Sequence, residues 1–276
     1  MGHVECYSKE YTLLVYAKKT MLHRSSNQLR WANVSAFALM VLVNGLAGST
    51  TIIGGRNTAQ ISDANPTLIT PAGYVFSIWG VIYVLLGVFA VYQVLPGQRE
   101  SQFQSRVGWL FVLSSIINMV WLFLWQSLLL EASTVLMFLL LSTLILIYLR
   151  LGIGKAKVTI REKLAVHLPF SVYLGWITIA SIANVAVTLV SVGWAGFGIS
   201  PTTWATLVVA VALLISVLVL ATRRDLAYAL VIIWALVGIA AKQSGTPAIV
   251  MLTEAGAALV AAASAATLLL TRLRRS

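Results

Sequence analysis

The stretch LFVLSSIINMVWLFLWQSLLLEASTVLMFLLLSTLILIYL, residues 110–149, decides the fold class of this 276-residue chain. Its only charged side chain is Glu131. An apolar run of about 40 residues would form a helix about 60 Å long, twice the thickness of the hydrocarbon core of a bilayer. The run must therefore fold back on itself, and we predict the turn at its most polar part, Glu131–Thr134. Two antiparallel transmembrane helices are the expected result.

Long apolar runs recur along most of the chain, from just after Trp31 to Leu270. Hydrophobic residues make up 59% of the sequence and charged residues only 10%, whereas soluble domains carry about 25% charged residues. In lipid every backbone polar group must be paired internally, and runs of roughly 18–25 residues suit helices better than barrel strands of about ten residues. We therefore predict an all-α polytopic bundle of about eight transmembrane helices, at 32–53, 71–95, two within 110–149, 164–192, 201–222, 226–241 and 248–270.

The positions of the basic residues test this arrangement through the positive-inside rule. With the N-terminus inside, 17 of the 19 Lys and Arg residues fall in inner segments, and only Arg56 and Lys242 fall outside. Removing or adding one helix would scramble this pattern. We therefore expect both termini to be cytoplasmic and the protein to lie in the plasma membrane. The net charge of +11 is interpreted as topological, and nucleic acid is not an expected partner.

Aromatic and amide side chains recur at helical spacing in three of the predicted spans. In the second span Phe76, Trp79 and Tyr83 stand at i, i+3 and i+7, which is one face of a helix. The third and fifth spans each carry a similar stripe that includes an Asn. An amide at membrane depth should face protein or a polar cavity, because facing lipid would cost a few kcal/mol. We therefore expect the stripes to converge inside the bundle, and the candidate ligand-binding residues are Phe76, Trp79, Tyr83, Asn118, Trp121, Trp125, Tyr173, Trp176 and Asn184.

Two interpretations of these stripes stay open on spacing alone. Flat aromatic walls with a few polar groups suit a planar hydrophobic ligand. The same residues would also form a tightly packed interior in which Asn side chains bridge helices. The tryptophans near span ends are instead typical of interfacial anchors, and these are Trp31, Trp109, Trp194 and Trp204.

Three segments resemble motifs of the TspO/MBR family, the tryptophan-rich sensory proteins related to the mitochondrial translocator protein. The first is Asn65–Tyr83, NPTLITPAGYVFSIWGVIY, a loop containing proline that leads into a Trp and a Tyr four residues apart. The second is Asn118–Trp121, NMVW, and the third is Tyr173–Asn184, YLGWITIASIAN. They occur in the family's order on the second, third and fifth spans. The chain therefore resembles an extended, divergent branch of the family.

The resemblance implies a five-helix core at 32–192, preceded by a segment at 1–31 and followed by additional helices and a basic tail at 193–276. It implies an integral membrane receptor or carrier for a porphyrin or similar planar ligand, with a sensory or transport role. The loop Gly54–Thr70 would act as a lid beside the pocket. No resident cofactor is expected, since a porphyrin or haem would enter only as ligand. Membrane lipid and a hydrophobic small molecule are the expected partners, and a homodimer stays open as an assembly.

The main alternative is a secondary transporter or permease for a small solute, since eight helices suffice for one. Against it, the spans hold few ionisable groups, with His167 near the inner end of the fifth and Glu254 near the outer end of the eighth. The single cysteine, Cys6, can form no internal disulfide or cysteine-based metal site. An enzyme is not expected, because the sequence has no paired intramembrane carboxylates, no His-Glu-x-x-His metal motif and no Gly-rich phosphate loop.

Overall fold

The computed structural model describes residues 27–47 and 55–273, and these residues form helices and connecting turns without any strand. The N-terminal segment 1–26 and the end of the first predicted span lie outside the described residues. The helices are α1 Asn27–Ala47, α2 Thr58–Ala64, α3 Ile78–Val94, α4 Gln102–Val107, α5 Leu110–Gln126, α6 Leu130–Leu151, α7 Leu168–Ser191, α8 Pro201–Arg223, α9 Leu226–Lys242 and α10 Pro247–Leu273. A 3₁₀ turn, Gly73–Ser77, leads into α3, and the helical turns Ile160–Glu162 and Lys163–His167 lead into α7.

The predicted all-α, membrane-spanning bundle is confirmed. Among the described residues, six helices are long and apolar enough to cross a membrane: α1, α3 with its 3₁₀ turn, α6, α7 with its preceding turns, α8 and α10. The other two predicted spans correspond to α5 and α9, each an apolar helix of 17 residues. At a rise of 1.5 Å per residue each is about 25 Å long, a little less than the roughly 30 Å hydrocarbon core.

The turn within residues 110–149 was predicted at the wrong place. The chain turns at Ser127–Leu129, where Leu128 takes a positive φ of 60°, and Glu131–Thr134 lies inside the first turns of α6. The carboxylate of Glu131 suits this position because the N-terminus of a helix carries partial positive charge. The hydroxyls of Ser133 and Thr134 donate to the carbonyl of Leu130, at 2.7 and 3.0 Å. These polar side chains are therefore satisfied within the helix and do not need a turn.

Helix α7 is the centre of the bundle. All nine residues of Ser171–Ile179 are buried, so this helix meets protein on every side. It packs against α3 and α6 on one side and against α9 on another. A Cβ placed on Gly175 would lie only 3.1 Å from Val231 Cβ and 3.2 Å from the carbonyl oxygen of Tyr228. The absence of a side chain at Gly175 therefore allows α9 to approach α7 closely.

A buried carboxylate ties α6, α7 and α9 together at the end of the bundle where α8 stops. Asp225 Oδ2 accepts hydrogen bonds from Tyr148 Oη at 2.9 Å and from Ser171 Oγ at 2.7 Å. Its Oδ1 caps α9 by accepting from the backbone N–H groups of Ala227 and Tyr228. The sequence analysis overlooked Asp225 because the residue lies between two predicted spans. Its spacing just before an apolar run is nevertheless the ordinary signal of a helix N-cap.

Candidate functional site

The aromatic stripes of α3, α5 and α7 meet around Trp79. Its ring stacks on those of Tyr83 and Trp121, with centroids 5.7 and 6.0 Å apart. The rings of Tyr173 and Trp176 meet it edge-on at 6.1 and 6.2 Å. These distances lie within the range of favourable aromatic pairs. The i, i+3, i+7 spacing thus places aromatic rings from three helices in one cluster.

The cluster extends in both directions from this centre. Phe76, in the 3₁₀ turn before α3, meets Trp176 edge-on at 5.8 Å, and Trp125 stacks on Trp121 at 5.9 Å. Asn118 lies fully buried on α5 and accepts a hydrogen bond from Asn44 Nδ2 of α1 at 2.8 Å. Helix α1 is therefore joined to the polar edge of the cluster.

A small cavity lies beside these rings. Its volume is about 30 Å³, which is about the share of one water molecule in the liquid and far below the roughly 300–1,000 Å³ of sites for drug-sized ligands. Six of the nine candidate residues line it, while Tyr83, Asn118 and Tyr173 do not. Among the residues that the structure describes, none that lines the cavity is charged, and its walls are Thr58, Ser62, Pro71, Phe76, Trp79, Trp121, Trp125, Met137, Trp176, Ile179, Ala180, Ala183 and Asn184.

The Asn184 side chain makes three hydrogen bonds to residues of α5 and α6. Its Oδ1 accepts from Trp121 Nε1 at 2.9 Å, and its Nδ2 donates to Ser133 Oγ at 3.1 Å and Thr134 Oγ1 at 2.8 Å. These bonds join α5, α6 and α7 inside the bundle. The arrangement matches the packing interpretation for this amide, because the protein already uses both of its N–H groups and one acceptor position of its oxygen.

The indole N–H of Trp176 differs from that of Trp121. Trp176 is buried, and its Nε1 has no hydrogen-bond partner in the structure. Buried donors without an acceptor are uncommon in proteins. At the wall of a cavity such a donor can bind a water or an acceptor atom of a small molecule.

The lid, which we define as residues 55–70, covers one end of the cavity through the short helix α2. Asn57 and Gln60 form a capping box, each side chain bonding the other's backbone N–H at 2.9 Å. Thr58 and Ser62 of this helix line the cavity. The carbonyl of Thr58 accepts a long hydrogen bond, 3.4 Å, from Trp125 Nε1. The lid is therefore an ordered element in direct contact with the aromatic cluster.

The described residues contain no group of three or more His, Cys, Asp or Glu side chains placed to hold a metal ion. The tryptophans predicted as interfacial anchors lie at helix ends. Trp31 and Trp109 are 57% and 61% exposed. Trp194, in the connection between α7 and α8, and Trp204, in the first turn of α8, are partly buried, and their rings lie 5.2 Å apart.

Comparison with known proteins supports the resemblance drawn from the motifs. The family described as TSPO-like protein matches residues 30–267, a range that includes the helices after the three motifs as well as those that carry them. No curated protein and no solved structure matches the chain. The matched range and the membrane-spanning helices make this a multi-pass integral membrane protein in contact with lipid. The chain belongs to the TspO/MBR family, as a TSPO-like protein.

Proposed function

We propose that this protein is a membrane receptor or carrier for a planar hydrophobic ligand such as a porphyrin, bound among the aromatic rings around Trp79. The observation that carries the proposal is the convergence of those rings from three helices beside a cavity without charged walls. Aromatic pairs contribute about 0.5–1.5 kcal/mol each beyond their buried area, so several ring contacts suffice for a specific site. The free donor at Trp176 Nε1 would meet one acceptor atom of the ligand.

The volume of the cavity sets a condition on this proposal. A space of about 30 Å³ admits no porphyrin, so binding requires the lid and the rings to separate. The ring contacts that a ligand would displace, such as Trp79 against Trp121, would be replaced by contacts with the ligand itself. We therefore expect association to be limited by opening of the site and to be much slower than diffusion.

Quenching of tryptophan fluorescence by a porphyrin panel in detergent tests the proposal. Trp79→Leu, Trp121→Leu and Trp176→Leu each remove one stacking wall, worth about 0.5–1.5 kcal/mol, and should weaken binding roughly two- to tenfold. Trp109→Leu is the matched control, because Trp109 is exposed and does not line the cavity. Equal effects at all four positions, with expression unchanged, would show that the stripes are packing alone.

We further propose that the protein does not catalyse a reaction on its ligand. The described residues carry no group of potential metal ligands, and the cavity lacks charged or nucleophilic side chains apart from two hydroxyls. A porphyrin recovered after prolonged incubation should keep its absorption spectrum. A time-dependent spectral change that depends on the folded protein would contradict this part of the proposal.

A secondary transporter remains the rival, and one observation favours it. Asp225 and His167 are both buried, 7% and 5% exposed, and His167 Nε2 has no hydrogen-bond partner. Buried ionisable groups in membrane proteins often mark ion pathways. The four hydrogen bonds to Asp225 indicate a structural role instead. Flux of a labelled solute driven by a proton or sodium gradient would favour the transporter, whereas porphyrin binding without coupled flux favours the receptor.

We also propose that both termini are cytoplasmic and that the protein resides in the plasma membrane. The distribution of the Lys and Arg residues supports this orientation through the positive-inside rule. A homodimer is a further proposal, which chemical cross-linking in native membranes would test.

A further inference from the structure

The lid and the turn that follows it are held by α9, a helix beyond the five-helix core. Gln243, just after α9, donates from Nε2 to the carbonyl of Thr67 in the lid at 2.9 Å. Lys242 forms an ion pair with Asp63 of α2. The lid is thus attached to α9 on one side while it contacts the aromatic cluster on the other.

The turn between the lid and α3 is attached to the same helix by two further hydrogen bonds. The backbone N–H of Ala72 donates to the carbonyl of Gly238 at 3.0 Å. Trp234 Nε1 donates to the carbonyl of Val75 at 3.2 Å. The ring of Trp234 also meets that of Tyr74 edge-on, with centroids 5.5 Å apart. Trp234 and Gly238 stand one helical turn apart, so a single face of α9 makes these contacts.

At Gly238, α9 lies closest to the turn between the lid and α3. A Cβ placed there would overlap Val75 Cγ2 and would lie 3.4 Å from Pro71 Cβ. Val75 is fully buried and β-branched, so its side chain has little freedom to rotate away. Only glycine at position 238 lets the turn sit against α9 in the observed position.

We propose that α9 holds the lid closed over the cavity and so acts as its latch. A helix outside the five-helix core then controls access to the aromatic cavity. The proposal rests on the proposed function only in naming that cavity as the ligand site. The ion pair contributes little to the latch, because Asp63 is 53% exposed and exposed ion pairs are weak. The rest of the latch is the close packing of the turn on Gly238 together with the hydrogen bonds of Ala72 and Trp234.

Cavity access is measured with a single reporter cysteine, without any ligand. Ala183→Cys, in the protein with Cys6→Ala, places a thiol at the cavity wall, and its reaction rate with a small thiol reagent reports lid opening. Gly238→Ala should raise this rate about tenfold, because the added methyl forces the turn away from α9. Gly80→Ala is the matched control, since a Cβ at Gly80 meets open space, and it should leave the rate unchanged.

A compensating change distinguishes the latch from general damage. Val75→Ala removes the methyl that a residue at 238 would meet, so the Val75→Ala, Gly238→Ala double variant should return to the rate of Val75→Ala alone. If Gly238→Ala does not fold, Trp234→Phe serves in its place. It removes the hydrogen bond to Val75 and part of the ring contact with Tyr74, at a partly exposed position, and should raise the rate about threefold.

The results test the role of α9 as latch separately from the binding of a porphyrin. An unchanged labelling rate in Gly238→Ala or Trp234→Phe would overturn the latch, whatever the result of porphyrin binding. A raised rate that the double variant reverses supports the latch even if no porphyrin binds, and then only the proposed function fails. Where both hold, porphyrin association should speed up in Gly238→Ala by the same factor as labelling.

Discussion

Replacing Asp225 by Ala should lower the stability of the bundle by about 3 kcal/mol. The carboxylate accepts four hydrogen bonds, two from the hydroxyls of Tyr148 and Ser171 and two from backbone N–H groups at the start of α9. Side-chain hydrogen bonds in membrane proteins average roughly 0.6 kcal/mol, and bonds to charged groups reach about 1.5–3 kcal/mol. Four bonds at about 0.6–1 kcal/mol each give the stated sum.

The assay is thermal unfolding in detergent, followed by intrinsic tryptophan fluorescence. For a chain of this size about 1 kcal/mol corresponds to roughly 2–4 °C, so Asp225→Ala should lower the Tm by about 6–12 °C. Asp225→Asn keeps one acceptor oxygen for the cap and should lose about half as much. Glu254→Ala removes an exposed carboxylate from α10 and should shift the Tm by less than about 2 °C. A Tm of Asp225→Ala within 2 °C of that of the unaltered protein would refute the reasoning that this carboxylate joins α6, α7 and α9.

Two further predictions concern the site and the topology. Asn184→Leu removes the partner of Trp121 Nε1 and of two hydroxyls and should lower the free energy of unfolding by about 2 kcal/mol. The Tm should then fall by roughly 4–8 °C. An unchanged Tm would mean that this amide does not bridge the helices. In the Cys6→Ala background, a cysteine at the exposed position of Ser244 should react with an impermeant thiol reagent in intact cells. A cysteine at the exposed position of Lys155 should react only after lysis. Labelling of position 155 from outside would contradict the proposed orientation.

The approximate bounds of the long apolar helices could be predicted from the sequence because the physics involved is local. The span predicted at 201–222 is the helix Pro201–Arg223, and the one predicted at 226–241 is Leu226–Lys242. In lipid each segment must pair its own backbone groups, so hydrophobic length alone indicates a helix. The turn near Glu131 was misplaced because polarity was taken as the signal, whereas that carboxylate is favoured inside the first helical turn.

The one-sided aromatic stripes could also be recognised in advance, since helical periodicity places Phe76, Trp79 and Tyr83 on one face. Periodicity says which residues share a face but not which faces meet or how closely. Only the structure shows that the rings pack to leave a cavity of about 30 Å³, and that Asn184 already makes three hydrogen bonds to its neighbours.

Only the tertiary structure shows which earlier parts of the chain the later helices contact. Trp234 bonds to Val75 across 159 residues of sequence, and Gly238 lies against the same turn. Asp225 similarly reaches back 77 residues to Tyr148. The sequence of a single helix determines its own hydrophobicity and its own hydrogen bonding. The contact of α9 with the turn before α3 depends instead on helix positions, which the close packing of many side chains in the bundle determines together.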